Sequence, residues 1–340
     1  MSENGEPTRV VLTGVSSRSH LVYASSYLRH LLAARPGEVH LTVLPNGDGL
    51  GDDATRAATV QDLLVADPRL VVEHATPDDA SQTFTSTTEL LCVGAPSVRA
   101  WTSYVRSQRG RRPRVVVIDE GLGSYGTWST RRAAYRREGG QEPRSTVRAW
   151  AVATSARWLT SQRWLLYGRG PGGWQVADRV ADEFRRRLAG PPAQPDVLVY
   201  LTQPWVALGV MTQQAYAAHL TAVSRAASEA GLTLAVRPHP WERPESYSEF
   251  RLVAGDAPAE IDRRVAEAAV VIGGNSTALL NLSAVQGARA VRVTTPELAP
   301  LDAALGDRQR SLLDAFLPRP VTVADLPSAL RRTSRAAPPQ

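Results

Sequence analysis

Short runs of Val, Leu and Ile that stop abruptly at Gly, Pro or Asp recur along this chain, separated by longer stretches of helical period. That alternation restricts the fold more than any other feature. A strand with no polar face must be covered on both sides, as in a parallel sheet flanked by crossover helices. Strands are predicted at Arg9–Leu12, Val39–Leu44, Leu70–Glu73, Leu90–Val93, Arg114–Ile118, Val197–Leu201, Thr233–Arg237, Ala269–Ile272 and Ala290–Val293. Helices are predicted at Ser19–Ala34, Pro96–Gln108, Gln175–Leu188, Thr212–Ala230, Thr277–Gln286 and Asp325–Arg332. The length of 340 residues is more than one domain of about 100–150 residues needs. The segment Leu188-Ala-Gly-Pro-Pro-Ala-Gln-Pro-Asp196 admits no helix. The reading is α/β: two parallel-sheet domains, 1–190 and 197–332, a linker at 191–196, a disordered tail at 333–340, and a cleft between the domains.

Composition narrows the chemistry. Apolar residues make up 43% and charged residues 21% of the chain, which is ordinary for a folded globular protein. A single cysteine, Cys92, and six scattered histidines offer neither a disulfide nor a thiolate zinc site. All 39 basic residues are arginine, so a Walker P-loop and a Schiff-base lysine are excluded. No Gly-x-Ser-x-Gly elbow and no His-Glu-x-x-His occur, which argues against serine and zinc hydrolysis. No signal-like stretch and no run of about 18 apolar residues is present, so a cytoplasmic protein is expected. The net charge of +6 is uneven: residues 101–175 carry fourteen arginines against four acids, together with six of the eight tryptophans. Such a belt suits sugars, anionic acceptors or an anionic membrane surface, or is simply a solvated face. No nucleic-acid reading motif accompanies it.

Three strand ends carry candidate chemistry. Val115-Val-Val-Ile-Asp-Glu-Gly121 delivers Asp119 and Glu120 at the edge where open α/β sheets bind ligands. A partly buried carboxylate there is a candidate general base; the same Asp also reads as a helix N-cap. Gly121-x-Gly123-x-x-Gly126 matches a dinucleotide fingerprint, but two adjacent carboxylates oppose a pyrophosphate and no prompt second strand follows. Arg237-Pro-His-Pro240 fixes His239 between prolines, with a permanent cation two residues away. That imidazole suits a phosphate or a leaving oxygen. Gly273-Gly-Asn-Ser-Thr277 opens a helix and forms an anion site or an ordinary cap.

In order along the chain, Asp119-Glu120-Gly121, His239-Pro240 and Ser276-Thr277 resemble the three motifs of bacterial sialyltransferases, closest to the polysialyltransferase-like group. Val199-Tyr-Leu-Thr-Gln-Pro204 is similar to that group as well. The resemblance implies a GT-B-like fold of two Rossmann-like domains, with acceptor on the first and donor on the second. It further implies a CMP-activated nonulosonic acid (sialic acid, Kdn or similar) as donor, with related sugars such as Kdo sharing the CMP leaving group, inversion at the anomeric carbon, and neither metal nor cofactor. By that resemblance Asp119 is the base and Glu120 its fallback, His239 contacts and protonates the donor phosphate, and Asn275, Ser276 and Thr277 bind it. Gly121, Thr202, Gln203, Arg237, Pro240 and Gly274 are expected around the nucleotide, and Ser16, Ser17, Tyr125, Arg131 and Arg132 around a glycan, lipid-linked or small-molecule acceptor. Peripheral membrane contact fits this reading and nucleic acid does not. Two other readings stay open: a CDP-alditol phosphotransferase of teichoic-acid type, and a non-catalytic polyanion-binding protein.

Overall fold

A computed structural model describes residues 7–45, 53–75, 89–107, 110–137 and 139–335. The chain divides into two compact units, residues 1–136 with 140–183, and residues 137–139 with 184–340.

The first unit is built on six parallel strands: β1 (Thr8–Val15), β2 (Val39–Pro45), β3 (Leu70–His74), β4 (Glu89–Val93), β5 (Arg114–Ile118) and β6 (Gln162–Trp164), in the order β3-β2-β1-β4-β5-β6. Every residue of β4 is buried, whereas the edge strand β3 is half exposed. The helices of this unit are α1 (Arg18–Ala34), α2 (Asp53–Leu63), α3 (Val98–Ser107), α4 (Trp128–Arg137) and α5 (Arg144–Trp158). α1 is buried along most of its length, with Leu21, Tyr23, Tyr27 and Leu28 all nearly inaccessible. At the N-terminal edge of this sheet, Glu89 is buried and takes Arg35, Arg114 and the Tyr27 hydroxyl as partners. With three donors on it, two of them guanidinium groups, that carboxylate is structural.

The second unit repeats the scheme with β9 (Val197–Leu201), β10 (Thr233–Arg237), β11 (Arg251–Leu252), β12 (Val270–Gly273), β13 (Ala290–Thr294) and β14 (Val321–Thr322), ordered β11-β10-β9-β12-β13-β14 and all parallel. A helix α6 (Asp178–Arg186) precedes β9, and α7 (Gln213–Glu229), α8 (Thr277–Gln286), α9 (Asp307–Phe316) and α10 (Leu326–Arg335) complete the set. Gly287, left-handed at φ 69°, ends α8 as helix-closing glycines do. His219 is a core histidine: its ring bonds the buried Tyr200 hydroxyl at 2.9 Å.

Two expectations need correction. Gln175 and Val176 are not helical; they belong to β8 (Gly173–Val176), which pairs antiparallel with β7 (Tyr167–Gly170) in a hairpin turned by glycines. Gly173 there has φ 110°, a conformation only glycine adopts without strain. Just before the expected linker, Ala189 bridges to Asp262 and donates to the Ile261 carbonyl at 3.0 Å. The last helix also continues through Arg335, past the expected fraying point; residues 336–340 lie outside the described residues.

Candidate functional site

Both sheets carry the order 3-2-1-4-5-6, which places a switch point between β1 and β4 in the first and between β9 and β12 in the second. At a switch point the connections leave in opposite directions and open a crevice at the C-terminal strand ends.

In the first unit the crevice is floored by glycine. Gly14 lies at the irregular end of β1 and Gly94 follows β4, both with positive φ (83° and 71°). Glu120, two residues past β5, lies over Gly94. A Cβ built on Gly94 would fall 1.8 Å from Glu120 Oε2, and one on Gly123 would fall 2.6 Å from Oε1. The apparent dinucleotide fingerprint is therefore a short 3-10 turn (Leu122–Tyr125) that makes room for a carboxylate. Arg131 donates to Glu120 Oε1 at 3.0 Å, the side chain is 24% exposed, and Oε2 has no partner among the described residues.

Asp119 has the opposite setting. It is fully buried, and burial pushes its carboxyl up to about 6. Its Oδ1 accepts the Gly121 N–H at 2.8 Å; its Oδ2 accepts the Leu166 N–H at 3.1 Å and the Tyr125 hydroxyl. The expectation that Asp119 meets an acceptor is not matched by this geometry, because its oxygens are sealed beneath the turn. Tyr125 is likewise unsuited to acceptor contact. It is 1% exposed, and its hydroxyl also accepts the Tyr167 N–H at 3.0 Å.

Sequence reasoning passed over His20. It is buried, and desolvation lowers its pKa to about 4, so it is neutral at pH 7. Nδ1 accepts the Ser16 N–H at 3.2 Å, while the ring donates to the main-chain carbonyl of Glu120. It thus ties the turn after β1 to the residue after β5. Its only signal in the sequence was a histidine in the first turn of a helix that follows a strand-end glycine. Ser16 and Ser17 sit in that same turn, half-buried, with Ser17 opening α1 without a side-chain cap. Arg132 turns away to Glu142 at 2.6 Å.

In the second unit, β10 delivers His239 and β9 delivers Thr202 and Gln203. The Thr202 hydroxyl accepts the His239 N–H at 2.7 Å and donates to Glu242. Glu242 Oε2 also accepts from the His239 N–H at 3.2 Å, and Oε1 takes the Tyr247 hydroxyl at 2.7 Å. Glu242 is the second residue missed: it was visible as the acid three residues after His239, but its role as clamp of the Pro-His-Pro turn depends on Thr202 and Tyr247. His239 Nδ1 accepts the Trp241 N–H at 3.2 Å, so the ring proton resides on Nε2, which has no partner among the described residues. Burial lowers the pKa of this ring to about 4.

Beyond β12, Gly274 leaves space for the Gln203 amide: a Cβ there would lie 2.7 Å from Gln203 Oε1. Ser276 caps α8, accepting the Leu279 N–H at 3.0 Å, and Thr277 is the first helical residue. One amide hydrogen of Asn275 is committed to Asp302, which also takes the Thr294 hydroxyl at 3.1 Å. Pro240 is exposed. Arg237 is a correction. Its guanidinium is buried, donates to the Val253 and Ala257 carbonyls and pairs with Asp262 at 3.4 Å, so it lends no charge beside His239.

No family model matches this chain, and no curated protein matches it. Solved structures do. A protein described as a UDP-N-acetylglucosamine 2-epimerase from Listeria monocytogenes superposes with a TM-score of 0.53 at 10% identity, covering 98% of this chain and 92% of its own. The calicheamicin glycosyltransferase CalG4 gives 0.50 at 10% identity, with 98% and 91% covered. Neither is a sialyltransferase. At such identity the likeness speaks for architecture: two parallel six-stranded sheets, each with the Rossmann strand order, make this a GT-B-like fold.

Proposed function

We propose that this protein is an inverting glycosyltransferase that moves a nonulosonic acid from its CMP-activated form to an acceptor hydroxyl. The observation that carries the reading is the pairing of strand ends. The three motifs that resemble those of sialyltransferases fall on the C-terminal edges of two switch-point sheets, with one open carboxylate oxygen at Glu120 and one open imidazole N–H at His239.

Breaking the bond between the anomeric carbon and the CMP oxygen leaves negative charge on a phosphate monoester whose second pKa is about 6. Such a leaving group needs stabilisation of charge more than a proton. A neutral His239 donating from Nε2, with the positive end of the α8 dipole and the Ser276 and Thr277 hydroxyls, supplies it. Glu120 accepts the proton of the acceptor hydroxyl as that oxygen attacks the anomeric carbon from the opposite face. Asp119 then serves as a positioning residue that fixes the turn carrying Glu120.

A donor panel tests this. CMP-nonulosonic acids should be consumed and CMP should bind saturably in calorimetry, while UDP-sugars and CDP-alditols should not turn over. Turnover of CDP-alditols would move the assignment to phosphotransfer. Absence of any nucleotide binding would leave only a binding protein.

A further inference from the structure

The helix α5 is built inside out. Its buried residues are Ser145, Ala149 and Ser155, whereas Val147, Trp150 and Trp158 are 61%, 64% and 73% exposed. An amphipathic helix that served only the fold would place its large apolar side chains inward. At 3.6 residues per turn, the three exposed side chains fall within an arc of roughly 80°. They are three of the eight large hydrophobic side chains left exposed among the described residues, so the exposure is concentrated rather than scattered.

Charge follows the same face. Arg144, Arg148 and Arg157 flank it, and the helix contains no acidic residue. Arg157 lies over the Trp158 ring at 5.9 Å, and Arg148 lies over Tyr135 of α4 at 4.2 Å. α4 itself carries four arginines and no acid. Trp128 at its start is a further half-exposed indole. Glu142, just before α5, is neutralised by Arg132.

We propose that α5 lies in the plane of an anionic lipid surface, with Val147, Trp150 and Trp158 at the boundary between headgroups and acyl chains and the arginines on the phosphates. Two properties select this occupant. Indoles settle at membrane–water interfaces, and arginines beside such a surface gain from its negative potential. A soluble polyanion would satisfy the guanidinium groups but offers no apolar phase for two tryptophans and a valine. No helix of the described residues is long and apolar enough to cross a membrane, so the contact is peripheral, of the kind amphipathic helices make. The proposal stands whether or not the enzymatic reading does.

The test is co-sedimentation of the full chain with vesicles of phosphatidylcholine alone and with vesicles that also contain phosphatidylglycerol, together with tryptophan emission. Binding is expected only with phosphatidylglycerol, with a blue shift and with weakening by salt. Trp150→Ser with Trp158→Ser should lower the partition by about tenfold or more, and Arg144→Gln, Arg148→Gln, Arg157→Gln by about fivefold per arginine. All five side chains face solvent, so circular dichroism should show both variants folded. The proposal is overturned if phosphatidylglycerol vesicles are not bound, if both variants bind as well as the parent, or if the tryptophan pair instead governs self-association in sedimentation. Capture of a soluble polyanion without vesicle binding overturns it as well.

Discussion

The two sheets share one strand order, yet their C-terminal edges are furnished in opposite ways. The edge of the first holds a sealed carboxylate, an open one and a buried histidine that joins two strand ends. The edge of the second holds an open imidazole, a clamping glutamate and a capped helix start. The first is suited to accept a proton and the second to receive negative charge. One scaffold used twice therefore differs between the two units in what is attached to the strand ends rather than in the sheets. Within each edge a second acid, the buried Asp119 or the half-buried Glu242, fixes the turn that presents the working group.

The comparison breaks most severely if the open and sealed acids have been confused. Glu120→Gln should lower turnover by about 10²–10⁴-fold, the usual worth of a general base, while CMP affinity in calorimetry stays unchanged. Asp119→Asn should instead act through folding, visible as a lowered melting temperature.

Next in size is a pH effect within the first edge. Burial holds the His20 pKa at about 4 against an ordinary 6.5, so the unfolded chain takes up the proton first. Stability contributed by a neutral His20 is complete above about pH 6.5 and is lost as pH falls towards 4, on the order of 3 kcal/mol in all. Asp119, raised from 3.8 to about 6, has the opposite sign: its contribution is present at low pH and is lost as pH rises through about 6. The melting difference between parent and His20→Gln should therefore shrink on acidification, and that between parent and Asp119→Asn should grow in the parent's favour. Parallel trends in the two series would refute the assignment.

On the second edge, His239→Ala removes a donor to a charged phosphate and should weaken CMP binding by roughly ten- to a hundredfold, as hydrogen bonds to charged groups are worth about 1.5–3 kcal/mol. Activity of the parent should not depend on this ring above pH 5, because it acts while neutral. Smallest is Thr202→Val, which leaves the His239 turn without its hydroxyl bridge to Glu242. A stability loss of about 1 kcal/mol with weaker donor binding is expected, and an unchanged CMP affinity would show that the turn holds itself.

Much of the architecture was legible because strands covered on both faces read as unbroken apolar runs. Val197–Leu201 and Arg114–Ile118 were located to the residue. The strands that escaped were short or at edges, such as Gln162-Arg-Trp164 and Arg251–Leu252, where one side needs no apolar residue. α4 and α5 escaped because arginine and tryptophan on solvent faces obscure helical period. Asp119 and Glu120 were placed correctly at the end of β5, but not their division of labour. Leu166, 47 residues on, seals one acid, and the bare main chain of Gly94 seats the other. Arg237 misled for a related reason. Two residues from His239 in the chain, its guanidinium is drawn instead to Asp262 and buried carbonyls.

By itself, the sequence determined the two α/β sheets and the strand ends at which polar residues emerge, since hydrophobic periodicity and glycine are local properties. Which of those residues stay open to a ligand was decided only by the tertiary structure. Burial and hydrogen-bond saturation depend on partners far along the chain, as Leu166 and Tyr125 do for Asp119 and Thr202 and Tyr247 do for the clamp beneath His239.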